Sequence, residues 1–101
     1  MAFTMQGFGG SVLFTADAVV SGSGVKVRIY SMHIISGATA GIVQLRDGTA
    51  VGGTIRIKET GSVNTGKTIE YGGVGVLFEN GCFYDEDANV TSALITFAVE
   101  N

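Results

Sequence analysis

Apolar and polar side chains alternate with a period of two along much of this chain. In "GVKVRIY", Val25, Val27 and Ile29 share one face, and Lys26, Arg28 and Tyr30 the other. In "TIRIKE", the same reading points Ile55 and Ile57 inward and Arg56 and Lys58 outward. In "GIVQLRDG", Val43 and Leu45 face a core, Gln44 and Arg46 face solvent, and Asp47-Gly48 opens a turn. "GVGVLFE" sets Val74, Val76 and Phe78 on one face. "VTSALITFAVE" places Ala93, Ile95, Phe97 and Val99 on one side. Its other side, Ser92, Leu94, Thr96 and Ala98, is still half apolar, so this strand is expected to be covered on both faces.

The segments near residues 11–20, 25–35, 41–47, 54–60, 67–71, 74–79, 82–84 and 90–99 predict about eight strands. Valine, isoleucine and threonine number thirty against four leucines. β-Branched side chains fit a pleated surface better than a helix, and no segment sustains a helical period. Sixteen glycines supply turns between short strands. The expectation is all-β: a single-domain antiparallel β-sandwich or jelly roll. An immunoglobulin-like sandwich fits less well, because tryptophan and a cysteine pair are absent. No proline blunts an edge strand, so an edge is open to pairing with a neighbouring chain.

Two regions break the pattern. In "RIYSMHIISG" the parity slips, and a bulge near Ser31 would return Met32 and Ile34 to the core and turn His33 outward. The start, "MAFTMQGFGG", carries Phe3, Met5 and Phe8 without strand-like continuity and ends in two glycines. Residues 1–10 therefore read as a loosely structured N-terminal arm that docks on a neighbour, and 11–101 as the β-sandwich domain.

Composition sharpens this picture. Hydrophobic residues make up 46% of the 101 and charged ones 15%, against about 25% charged in an ordinary domain. Such a surface suits an oligomer or an assembly subunit. The net charge of -3 offers no basic excess for nucleic acid. No apolar run approaches the ~20 residues of a membrane helix. The first lysine is Lys26, so the start lacks the basic region of a signal peptide. A single cysteine forms no internal disulfide, which fits synthesis in a reducing cytosol. All six bases lie between residues 26 and 67, whereas six acids and no base follow Lys67. A head-to-tail contact could join the two segments, from Arg28, Arg56 or Lys58 toward Glu79, Asp85 or Asp87.

Candidate chemistry is sparse. Asp85, Asp87 and Asn89 stand at the spacing that opens a calcium loop, but Val90 and Thr96 occupy the positions where that loop needs glycine and a bidentate glutamate. The acidic cluster is expected to be the solvated rim of a turn, without a metal. Cys82 has acids rather than bases near it in sequence, which disfavours a reactive thiolate. His33 is the one histidine, so no multi-histidine metal site exists. "NTGKT" lacks the upstream glycine and the following helix of a phosphate loop. No catalytic residues, metal or cofactor are expected, and the protein is read as a binding protein rather than an enzyme.

The stretches "VKVRIYSMHIISGATAGIVQLRDGTAVGGTIRI" and "NTGKTIEYGGVGVLFENGCFYDEDANVTSALITFAVE" resemble small structural proteins of tailed-bacteriophage virions, of the capsid decoration or cement type. The shared features are a strand ending in Ile34-Ile35, the turn Asp47-Gly48-Thr49, the strand-to-turn at 75–81 and the valine- and threonine-rich strand at 90–99. They span residues 25 to 100. The resemblance implies a virion protein on the capsid surface, made in the host cytoplasm, with the major capsid protein as partner. It also implies a homo-oligomer, with a trimer favoured. The alternative is a tail, neck or fibre module with a carbohydrate- or protein-binding role, for which Tyr30, Tyr71 and Tyr84 are candidate sugar platforms.

Overall fold

A computed structural model describes residues 9–22 and 24–100. They form nine strands: β1 (Gly9–Phe14), β2 (Ala18–Ser21), β3 (Lys26–Ser36), β4 (Ile42–Asp47), β5 (Thr54–Thr60), β6 (Gly66–Glu70), β7 (Val76–Phe78), β8 (Cys82–Glu86) and β9 (Val90–Glu100). Sheet A runs β1-β9-β3-β6, and β7 also pairs with β3. Sheet B runs β2-β8-β4-β5. All pairings are antiparallel.

β6 and β7 lie end to end along one side of β3: Ser31 to Ile35 meet β6, and Val27 to Ile29 meet β7. Counted as one interrupted strand, they complete two four-stranded sheets. The pairs β1-β9, β2-β8, β3-β6/β7 and β4-β5 then nest as one long hairpin rolled across both sheets, the jelly-roll arrangement. The expected segment 11–20 divides between β1 and β2, because the chain crosses there from sheet A to sheet B.

The core lies between the sheets. Sheet A contributes Val27, Ile29, Met32, Ile34, Phe78, Ala93, Ile95, Phe97 and Val99; sheet B contributes Val43, Leu45, Ile57, Cys82 and Tyr84. Phe14 of β1 stacks on Tyr84 of β8, ring centroids 4.8 Å apart, and ties the two sheets beside the crossover. The parity slip in β3 is a bulge. Ile29 pairs with Phe97 and Ser31 with Thr96, which leaves Tyr30 as the extra residue. Met32 and Ile34 are thereby buried.

β5 corrects the simple alternation. Leu45 pairs with Ile57 and Arg46 with Ile55, so Arg56 is an extra residue. The bulge swings the Arg56 guanidinium over the Phe78 ring, 5.8 Å from its centroid, and leaves Ile55 42% exposed instead of inward. Gly9 and Gly10 are paired with Ala98 and Phe97 inside β1. Phe3, Met5 and Phe8 lie outside the described residues.

Candidate interaction surfaces

The acidic cluster belongs mostly to a strand, not to a turn rim. Asp85 and Glu86 end β8, and only Asp87 enters the turn to β9. Each acid has its own internal partner. Arg46 Nε donates to Asp85 Oδ2 at 3.1 Å, with both side chains largely buried at 17% and 18% exposure. Tyr84 donates its hydroxyl to Glu86 Oε1 at 2.8 Å, and Asp87 Oδ1 accepts from the Asn89 backbone N–H at 3.0 Å. The last is an Asx turn, which starts the connection to β9. Desolvation raises the Glu86 carboxyl above its usual range, against the opposing pull of the Tyr84 hydroxyl, while Asp17 and Asp87 add to the rise. The three acids, with Ile42 and Gln44, line a shallow depression of about 160 Å³. Among the described residues, no three histidine, cysteine or carboxylate side chains converge as metal ligands.

Cys82 and His33 are not brought together. Cys82 is buried between the sheets, where desolvation, and then the charge of Asp47, pushes its thiol up to about 12. His33 stands opposite Leu94 and between buried Met32 and Ile34, so it projects from the outer face of sheet A. Its Nδ1 lies 2.7 Å from Thr68 Oγ1, and its ring covers Gly66, where an added Cβ would meet Nε2 at 2.5 Å.

Strand pairing also redistributes the charge. The basic segment and the acidic segment interleave, because β3 lies beside β9 and β4 beside β8. Arg28 is bound to Glu100 and to the Val74 carbonyl within the subunit. Arg28 sits in sheet A, whereas Arg56 and Lys58 sit on β5 of sheet B. Lys58 and Glu79 are exposed. The tyrosines are dispersed as well. Tyr84 is core, Tyr71 donates to Glu59 Oε2 at 2.9 Å across the sheets, and Tyr30 is the half-buried bulge residue. Burial and the neighbouring carboxylates raise the hydroxyl pKa of Tyr71 and Tyr84.

Three exposed large apolar side chains gather on the outer face of sheet A. Leu13 pairs with Leu94, Leu94 with His33, and Ile35 lies two residues farther along β3. Leu13 is 58%, Leu94 39% and Ile35 38% exposed, and no described segment covers them. The half-apolar outer side of β9 was readable from sequence, and Leu94 with it. Leu13 and Ile35 were not, because which face they share depends on the β1 register and the β3 bulge. No family model, no curated protein and no solved structure matches this chain.

Proposed function

We propose that this chain is a structural protein of a tailed-bacteriophage virion that decorates the outer surface of the capsid and stabilises it by bridging major capsid protein subunits. The observation that carries this reading is the uncovered stripe of Leu13, Leu94 and Ile35 on sheet A, whereas every buried side-chain polar atom among the described residues has an internal partner. A contiguous apolar surface of that kind favours burial against a protein partner. The motifs at 47–49, 75–81 and 90–99 supply the virion assignment by resemblance.

The mechanism is binding without chemistry. Each subunit docks through modest contacts, and repetition over a symmetric shell turns weak single attachments into strong retention. The homo-oligomer gathers several such faces, and the leader with Phe3, Met5 and Phe8 adds an anchor. The test is co-sedimentation with empty heads assembled from the major capsid protein of the same virion. Saturable binding at a fixed ratio to capsid subunits is expected, together with a higher temperature of head disruption. Leu94→Lys should abolish the attachment while leaving the fold intact. Failure of the unmodified protein to bind those heads rejects the reading.

A further inference from the structure

The two sheets present four edges, and they are protected unequally. β5 carries Arg56, Lys58 and Glu59 and a bulge. The β6/β7 edge is interrupted and bears Lys67 and Glu70. β2 is only four residues long, and a bulge interrupts it between Val19 and Ser21. β1, "GGSVLF", has none of these devices. It holds no charge and no proline, its register with β9 is unbroken over six residues, and no described strand pairs with its other side. Charges, bulges and short length are what keep sheet edges from pairing with other chains. Their absence at one edge alone marks that edge.

We propose that β1 is the seam at which two copies of this chain join, β1 antiparallel to β1, extending sheet A across a two-fold axis. The strand is complementary to itself in one register. With Val12 on the axis, Leu13 faces Ser11 of the second copy, and Phe14 faces Gly10. The large residues at one end of the strand thus meet the small ones at the other. In antiparallel pairs, directly opposed residues share a sheet face. Leu13 is then packed on the outer face, and Val12, 41% exposed in the single chain, is covered at the centre. A two-fold contact of this kind is isologous and closes as a dimer, in contrast to the head-to-tail ring. It does not depend on capsid binding. A seam of five opposed residues from each copy, Gly10 to Phe14, is small beside the roughly 1,000 Å² of a lasting interface, so the dimer is concentration-dependent.

Sedimentation equilibrium of the full chain up to about 1 mM should show a monomer–dimer equilibrium. Val12→Lys sets identical charges against each other and should weaken the dimer about five- to tenfold; Val12→Glu should do the same, and mixing the two should restore it as a heterodimer. Val12→Cys provides a reading independent of folding losses, because Cys82 is buried. Mild oxidation should link Val12→Cys to its own copy, while Val63→Cys, exposed in the β5–β6 loop, should stay unlinked. A chain monomeric at about 1 mM, a dimer indifferent to both charge variants, or absence of the Val12→Cys crosslink would each overturn the proposal.

Discussion

Arg46 reaches Asp85 across the β4–β8 pair at 3.1 Å, and the same guanidinium also donates to the Gly53 carbonyl and to Gln44 Oε1. One side chain thus ties the acidic end of β8, its neighbour β4 and the turn into β5. With both partners mostly shielded from water, the pair is worth more than an exposed one. Arg46→Ala should lower unfolding free energy by about 2 kcal/mol, since it strands a largely buried carboxylate and two acceptors. Asp85→Asn should cost less, because its amide still offers an oxygen to Arg46. Urea denaturation of the two variants checks the order.

Alkaline stability should be limited first by Cys82. Burial, and then the charge of Asp47, pushes its thiol up to about 12 in the folded chain, against about 8.5 for a free thiol. The folded pKa is raised, so its contribution is intact below about 8.5 and is lost as pH climbs toward 12. Between those limits the loss approaches about 1.4 kcal/mol per pH unit. Cys82→Ala should flatten the pH 9–10 part of the profile, before the raised tyrosines contribute. A thiol reagent at pH 8 should react only after denaturant is added.

Glu86 should show the same sign at lower pH. Its carboxyl is raised in the folded state, so ionising it at neutral pH works against folding. Glu86→Gln keeps an acceptor for the Tyr84 hydroxyl and removes the charge beside Asp17 and Asp87. It should raise the melting temperature at pH 7, and the gain should shrink as the pH falls through the carboxyl's raised pKa. A variant less stable than the parent at pH 7 would contradict the assignment.

Gly81 turns the chain between β7 and β8 with φ at +99°, and an added Cβ would stand 2.6 Å from the Gly22 carbonyl oxygen. Gly81→Ala should destabilise by about 1–3 kcal/mol. At Gly10, added atoms meet nothing within 4 Å. Gly10→Ala should therefore change stability little, and thermal melts of the pair separate crowding from mere loss of glycine.

Much of the architecture was legible because alternation has a strict period. Met32 and Ile34 announced the β3 bulge one position from where Tyr30 makes it. Ile55 was misread because the β5 bulge falls inside a perfect alternation, where the cross-sheet attraction between Arg56 and Phe78 leaves no local mark. The charge asymmetry along the chain does not carry over into space, for a related reason. Separation along the chain says nothing about separation in space once β3 meets β9 and β4 meets β8. The uncovered stripe was half visible, through Leu94 alone, since Leu13 and Ile35 join it only by register.

β9 occupies an interior place in sheet A, flanked by β1 and β3. Its residues 90–100 come at the far end of the described chain, yet they pair with the first described strand. The sheet therefore stays in two parts during synthesis until this segment has left the ribosome. Contacts between such distant positions carry a large loop-closure cost, and folding dominated by them runs on the millisecond-to-second scale. While that gap is open, the edges of β1 and β3 are both bare strands, and this interval is when the chain is most exposed to aggregation.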